Sequence, residues 1–251
     1  MIFSLIWIGK YEPTQCMAGV HIAPEQKIDN SRISTALACE RLGVTPWASA
    51  MSMMGGLAGG PGGAAMCATA NMLAQLSYSH SPWCNIAMSD MNGSSKTAMV
   101  LASYSAILRA AERNLKIPTG MPCADSTVST CHEEAIVAGT LVAVVGTASG
   151  VAANWLTGTS PLTARIHDEA MHAVAGMKAE EVEPIIHNML AVIDRLQKEH
   201  AGEKMPFPQQ LFFSIYDLKT LEPKPEYLEA VKHAVELMKE AGLPLSEGVL
   251  G

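Results

Sequence analysis

Six glycines fall within the nine residues 55–63 and form a segment that could bind an anion. Glycine allows sharp turns and leaves backbone N–H groups accessible, and a helix that begins directly afterwards adds the positive end of its dipole. Gly60, Gly62 and Ala65 match the dinucleotide pattern G-x-G-x-x-A. However, no plausible acidic partner for a ribose lies about 20 residues further on, and no P-loop Gly-Lys-Ser/Thr is present. The segment predicts either a tight turn under a closely packed helix or a cradle for an anion or cofactor.

A second group of polar residues follows two predicted strands. Asp90 and Asn92 come directly after one apolar run, and Cys123 and Asp125 come after another. In parallel α/β folds the ligand binds at the carboxyl ends of the strands, so these residues are candidate substrate contacts. The two aspartates could instead serve at the starts of the helices that follow them.

The histidines and cysteines show no recognised metal or nucleophile motif. His167 and His172 are five residues apart, a spacing that places them on different faces of a helix. The cluster at residues 131–134 (Cys-His-Glu-Glu) opens a long apolar helix, where acidic residues favour the positive helix end, so we interpret it as capping. The six cysteines lack C-x-x-C spacing and are typical of the buried, reduced thiols of a cytoplasmic protein.

The elements that would position these residues alternate along the first half of the chain. Apolar runs predict strands at residues 2–8, 16–22, 45–53, 83–89 and 115–121. Helical stretches lie between them, at residues 30–42, 61–78 and 94–114. Such alternation predicts a parallel sheet with crossover helices, and therefore an α/β fold. Beyond residue 123 the pattern becomes helical throughout, with predicted helices at 127–155, 161–176, 180–200 and 225–241.

Length and composition exclude several classes of protein. The chain has 251 residues, of which 49% are hydrophobic and 16% charged, which fits one folded domain over residues 1–251 and excludes a disordered chain. The net charge is −7 and there is no basic block, so no nucleic-acid partner is expected. The run 2–8 lacks the flanking features of a signal peptide. Residues 135–156 carry no charge and are long enough to span a bilayer, but their many small and polar residues favour a buried helix.

Several short motifs occur in a fixed order along the chain. They are Gly55-Gly56-Leu57-Ala58-Gly59-Gly60, Ser89-Asp90-Met91-Asn92-Gly93, Pro122-Cys123-Ala124, Thr147-Ala148-Ser149-Gly150, and Tyr216-Asp217-Leu218-Lys219-Thr220 with Pro223 and Glu226-Tyr227. In these motifs the sequence resembles the monomethylamine:corrinoid methyltransferases. The resemblance implies a TIM (β/α)8 barrel, of which this chain would be the C-terminal part, with a barrel portion over about residues 1–126 and additional helices over about 127–251.

The resemblance also implies an activity and partners. Enzymes of that family transfer a methyl group from monomethylamine to the cobalt of a corrinoid carried by a partner protein, and they form homo-oligomers. No cofactor is then bound directly by this chain. The family binds its amine through a pyrrolysine, which would fall just upstream of Met1, so the chain alone is expected to be partial. A relative without pyrrolysine that acts on another methylated amine, or an inactive relative, is an open alternative.

Three catalytic positions follow from the same resemblance. Glu25 matches a carboxylate that would stabilise the cationic nitrogen of the amine. Ser49 stands at the position of a second carboxylate, and Thr119 stands where the family has a glutamine. Asp90, Asn92 and Cys123 are the candidate substrate-binding residues. Two rival functions stay open at this point: a nucleotide-binding α/β oxidoreductase that uses residues 60–65, and a membrane or scaffold subunit built on residues 135–156.

Overall fold

A computed structural model describes residues 17–22, 30–122, 132–155, 160–201 and 212–249. Within these ranges the strands are β1 (Met17–Ile22), β2 (Thr45–Met53), β3 (Cys84–Ser89), β4 (Thr119–Pro122) and β5 (Ala153–Trp155). The helices are α1 (Asn30–Leu42), α2 (Pro61–Ser79), α3 (Ala98–Leu115), α4 (Glu133–Ala148), α5 (Pro161–Val174), α6 (Ala179–Glu199), α7 (Phe212–Ile215) and α8 (Pro225–Glu240).

The five strands form one parallel sheet in the order β1-β2-β3-β4-β5. Each strand therefore pairs with its neighbour in the chain, and a helix-containing connection joins each pair, as the alternating pattern predicts. The mixed α/β class is confirmed. The described part of the sheet ends at β1 on one side and at β5 on the other, and it does not close into a barrel.

Helix α3 shows how the sequence forms and orients a crossover helix. Its N-cap is Thr97, whose hydroxyl accepts a hydrogen bond from the Val100 N–H. It ends where Lys116 adopts a left-handed conformation with φ of 52°. The buried residues recur every three or four positions, which turns one apolar face toward the sheet. They are Val100, Leu101, Ser103, Tyr104, Ile107, Leu108 and Ala111.

Helix α4 is the centre of the C-terminal half. Every residue from 136 to 146 is buried, because α5, α6 and α8 pack around the helix. A helix that is apolar on all sides is expected at such a position. No helix in the described part of the chain is long and apolar enough to cross a membrane. The prediction of a buried helix is confirmed in place of the membrane alternative.

The predicted helix over 127–155 was wrong at its C-terminal end. Helix α4 ends at Ala148, Gly150 takes a φ of 90°, and the chain then forms β5, which pairs with β4. A strand of three residues is too short to show alternation, and it follows an apolar run without a polar break. The parallel sheet thus extends beyond residue 126. The predicted strand at 2–8 lies outside the described residues.

The other predicted helices and strands match the structure closely, whereas the short helix α7 was not predicted. Helix α1 and strand β2 have the predicted bounds. Helix α3 begins four residues later than predicted, because Thr97 caps it and residues 94–96 belong to the loop before it. The strand predicted at 115–121 is shorter, since α3 continues to Leu115.

Candidate functional site

The side chains of strand β2 show which face of the sheet packs against the helices. The Ser52 hydroxyl donates a hydrogen bond of 2.9 Å to the carbonyl oxygen of Ala64 on α2, so Ser52 faces the helices. Side chains alternate along a strand, and Ser49 therefore lies on the opposite face. We call this opposite side of the sheet the inner face. Ser49 is buried, with 2% of its surface exposed.

Asn85 lies on the inner face beside Ser49, because the two residues are paired in register across β2 and β3. The same row continues to His21 on β1 and to Gly120 on β4. Asn85 is fully buried, and within the described part of the chain neither Oδ1 nor Nδ2 has a hydrogen-bond partner. Buried amides are almost always hydrogen-bonded, so an amide without a partner among the described residues makes Asn85 a candidate ligand-binding residue. Sequence reasoning missed it, because an asparagine within an apolar run carries no local signal.

The backbone beside Asn85 is held from the helix layer. The Ser49 N–H donates to Oε1 of Gln75 at 2.8 Å, and Nε2 of Gln75 donates to the Ser49 carbonyl oxygen at 2.7 Å. Gln75 is fully buried on α2. One side-chain amide thus satisfies both backbone groups of Ser49, which fixes β2 against α2 at the level of Asn85.

Thr119 does not lie with Ser49. It is paired in register with Cys84, which is itself paired with Ala48. Ala48 is four positions from Ser52 on β2, so its side chain points to the same side of the sheet. Ala48, Cys84 and Thr119 therefore all face the helices and not the inner face. Thr119 is buried there, with 2% of its surface exposed. The structure therefore separates two of the three catalytic positions that the resemblance implies.

Asp90 and Asn92 do lie together, in the loop after β3. Oδ1 of Asp90 accepts hydrogen bonds from the N–H groups of Asn92 at 2.8 Å and Ser94 at 2.9 Å. Asp90 thereby shapes the loop, in the manner of an Asx turn. Asp90 and Asn92 also border a cavity of about 530 Å³ that separates the loop from α6, where Asp194 and Gln197 line the other wall. Glu25 and Cys123 lie outside the described residues.

Lys96, which also lines this cavity, belongs to a buried ion pair. Nζ of Lys96 lies 2.5 Å from Oε1 of Glu134, which also accepts a hydrogen bond of 3.0 Å from Nε2 of Gln197. Lys96 comes from the β3–α3 loop, Glu134 from the first turn of α4 and Gln197 from α6. A carboxylate at the N-terminus of α4 is further stabilised by the helix dipole. The ion pair joins three elements and was not visible in the sequence.

The glycine-rich segment forms the turn between β2 and α2. The Gly55 N–H donates to Gly59 O at 2.7 Å, and the Gly59 N–H donates to Gly56 O at 2.9 Å. A Cβ atom on Gly63 would lie 1.9 Å from the Ala58 carbonyl oxygen, so no larger residue fits there. The packing of the turn thus accounts for Gly63 without any ligand, as the tight-turn interpretation predicts.

The oxidoreductase alternative is not supported by the topology. A dinucleotide binds at the point where the strand order of a doubly wound sheet reverses. In this sheet the order follows the chain from β1 to β5, and no reversal occurs among the described strands.

The sequence profile of one protein family, monomethylamine methyltransferase MtmB, matches residues 18–243. The chain belongs to this family. The match covers the described residues from β1 to α8, and with them the inner face, the cavity and the ion pair. It confirms the resemblance seen in the short motifs.

Two solved structures have the same fold. They are the crystal structure of the Methanosarcina barkeri monomethylamine methyltransferase MtmB and that of the hydroxylamine complex of MtmB. Each superposes with a TM-score of 0.79 and 22% sequence identity, over 90% of this chain and 50% of the other. The chain therefore spans about half the length of these two proteins. None of the curated proteins matches it.

Proposed function

We propose that this chain is the C-terminal portion of a methyltransferase that transfers a methyl group from monomethylamine, or a related methylated amine, to a corrinoid protein. The observation that carries the proposal is the match to the MtmB family over residues 18–243. In this proposal the parallel sheet is part of an eight-stranded barrel that further strands complete beyond β1 and β5.

The inner face has the chemistry that a small amine requires. A methylammonium ion has N–H donors and one methyl group, and it needs oxygen acceptors in a confined space. Oδ1 of Asn85 is a buried acceptor without a partner among the described residues, and Ser49 lies in register beside it. We assign Asn85 and Ser49 to amine binding. Thr119 faces the helices, so we assign it to packing of the sheet.

The reaction itself makes modest demands on this chain. The methyl group leaves with the C–N bond broken and both electrons retained by nitrogen, so the nitrogen must carry positive charge before the bond breaks. The protein must bind that cation, orient its methyl group and exclude water. Glu25 is proposed as the carboxylate that stabilises the charge, and Asp90, Asn92 and Cys123 as contacts at the carboxyl ends of β3 and β4.

A corrinoid partner would approach the carboxyl ends of the strands. The corrinoid, when its carrier protein is docked, supplies the cobalt that accepts the methyl group. Exposed apolar residues lie at this end: Leu57 is 89% exposed, Met91 60% and Met99 56%. Methionine and leucine side chains on a surface are typical of protein-docking sites. We further propose that the protein is cytoplasmic and homo-oligomeric, in keeping with its membership of the MtmB family.

The test is a methyl-transfer assay with purified corrinoid protein reduced to the cobalt(I) state. The enzyme is expressed from the reading frame that includes any in-frame codons before Met1, with pyrrolysine supplied. We expect the spectrum of methylcobalt(III) to appear with monomethylamine or a related methylated amine. The chain 1–251 alone should show no transfer. Absence of transfer from mono-, di- and trimethylamine by the longer protein would refute the proposal.

The role of Asn85 is tested in the same assay. Asn85→Leu should lower kcat/KM by about 100-fold, since a site that hydrogen-bonds an amine loses its acceptor. Ser77→Ala, an exposed change on α2, is the matched control and should leave kcat/KM unchanged. Wild-type kcat/KM in Asn85→Leu would remove Asn85 from the site without affecting the proposed reaction.

A further inference from the structure

Three histidines surround one carboxylate where α4, α6 and α8 meet. Glu133 is the first residue of α4, His132 is its N-cap, His200 caps the C-terminus of α6 and His233 belongs to α8. Oε1 of Glu133 lies 3.6 Å from Nε2 of His200 and 3.5 Å from Nδ1 of His233. Oε2 lies 4.0 Å from Nε2 of His132. The sequence of residues 131–134 indicates chiefly helix capping and does not connect them with His200 or His233.

Glu133 differs from the neighbouring Glu134 in its counter-charges. Glu134 is neutralised by Lys96, whereas the ion pairs of Glu133 within the described residues are with histidines. The Glu133 side chain is 16% exposed. No lysine or arginine pairs with this mostly buried carboxylate among the described residues. A carboxylate oxygen and imidazole nitrogens are ligands that Zn²⁺ prefers in proteins.

We propose that His132, Glu133 and His200 bind a divalent transition-metal ion of the Zn²⁺ class. Their ligand atoms all lie within 4.8 Å of one another. Tetrahedral Zn²⁺, with bonds of about 2.0–2.2 Å, needs ligand atoms about 3.4 Å apart, so side-chain adjustments of about 1 Å suffice. Two histidines and one glutamate leave a fourth position for water. His233 is half exposed and holds the Glu133 carboxylate from the outer side.

The packing of the two histidine rings supports this arrangement. His132 and His200 meet edge to face, with ring centroids 4.2 Å apart, so their nitrogens are brought near the same carboxylate. His200 also lies at the C-terminal end of α6, where the carbonyl groups carry partial negative charge and favour a cation. The ion would tie the start of α4 to the end of α6.

Metal binding would change one hydrogen bond of the cluster. Nδ1 of His132 accepts a bond of 3.2 Å from the Glu134 N–H, which places the ring proton of the neutral histidine on Nε2. Coordination through Nε2 moves that proton to Nδ1, and the cap bond is lost. This bond is long, and one cap contributes little compared with coordination of Zn²⁺ by three protein ligands.

The experiment titrates the full 251-residue chain with Zn²⁺ by isothermal calorimetry, in the presence of a non-thiol reductant. We expect one Zn²⁺ per chain with a Kd of about 1 µM or below. His200→Ala and Glu133→Gln should each weaken binding by about 100-fold. His172→Ala is the matched control, because His172 forms an exposed pair with Asp168, 3.8 Å away on α5, and it should bind as the wild type does.

A second measurement keeps the test independent of folding defects. His200→Cys supplies another Zn²⁺ ligand, so it should retain binding, and with Co²⁺ it should gain a thiolate-to-cobalt charge-transfer band that is weaker or absent in the wild type. Each variant is first shown by circular dichroism to keep its helix content in EDTA. Binding weaker than about 100 µM in the wild type, or affinity unchanged in both His200→Ala and Glu133→Gln, would overturn the proposal. So would a His200→Cys protein without the new band.

Discussion

Nζ of Lys96 and Oε1 of Glu134 form an ion pair at 2.5 Å in which both side chains are at most 4% exposed. The two residues are 38 positions apart, in the loop before α3 and in the first turn of α4. Removing one member of such a pair leaves the other charge buried and uncompensated, whereas removing both leaves no charge to solvate. The pair thus fixes the position of the cavity wall, since Gln197 of α6 binds the same carboxylate oxygen.

Lys96→Met should therefore destabilise the protein by about 3–5 kcal/mol, measured as the free energy of unfolding in urea. The double change Lys96→Met with Glu134→Leu should recover much of that loss. Lys232→Ala is the control: Lys232 pairs with Glu229 at 2.9 Å on the exposed side of α8, and its loss should cost less than about 0.5 kcal/mol. Equal costs for Lys96→Met and Lys232→Ala would contradict the assignment.

The buried His167 on α5 should make the free energy of unfolding depend on pH. Burial lowers the pKa of His167 to about 4, and the nearby Ile136 carbonyl opposes this effect only in part. In the unfolded chain the same group has its ordinary pKa near 6.5, so the unfolded state binds the proton first as the pH falls. Stability from this residue is present above about pH 6.5 and is lost progressively down to about pH 4. The loss amounts to about 3 kcal/mol.

The measurement compares urea unfolding at pH 7.5 and pH 4.5 in wild type and in His167→Leu. Between pH 7.5 and pH 4.5 the free energy of unfolding should fall more in wild type than in His167→Leu, since leucine has no proton to bind. His172→Ala, an exposed change on the same helix, should follow the wild-type profile. An identical pH dependence in His167→Leu and wild type would show that His167 is not held neutral.

Asn85 and Gln75 are both fully buried amides, but only Gln75 is hydrogen-bonded within the described residues. Asn85→Leu should stabilise the 251-residue chain by about 1–2 kcal/mol, because an unpaired buried amide is replaced by an apolar group of similar shape. Gln75→Leu should destabilise it by about 1–3 kcal/mol, because the backbone groups of Ser49 lose their partners. Thermal unfolding of both variants gives the comparison, and destabilisation by Asn85→Leu would mean that the amide is satisfied.

Gly63 and Gly62 are adjacent, and they should respond differently to alanine. The Cβ of Gly63→Ala would meet the Ala58 carbonyl oxygen, so the turn before α2 must move, at a cost of about 2 kcal/mol or more. Nothing lies within 4 Å of a Cβ on Gly62, and Gly62→Ala should be neutral or stabilise α2 by up to about 1 kcal/mol. Both values come from urea unfolding, and similar effects of the two changes would refute this account of the glycines.

The extent to which the sequence predicts this molecule depends on the range of each interaction. The bounds of α1 and β2 follow from apolar runs and periodicity within single segments, which are local properties. Strand β5 was missed because three residues carry no alternation. The family resemblance implied Ser49 and Thr119 as catalytic positions, but their separation onto opposite faces depends on strand register, which only the assembled sheet defines.

The residues of the candidate site that sequence analysis missed also depend on contacts between residues far apart in the sequence. Lys96 is recognised as part of the site only through its ion pair with Glu134, and Asn85 only through the lack of a hydrogen-bond partner among the described residues. Glu133 is recognised only through its contacts with His200 and His233, which belong to two helices far from it in the sequence. No local sequence pattern shows that such residues lie together in the fold.

The strand order has a consequence for how such a protein is assembled. Each strand in the sheet pairs with its immediate neighbour in the chain. A polypeptide divided between two strand–helix units therefore loses only one covalent connection. No strand of one piece then has to insert between two strands of the other. Two separately synthesised pieces could therefore associate through backbone hydrogen bonds along the edge of β1. Co-expression of this chain with a complementary piece offers a direct route to split-enzyme reconstitution.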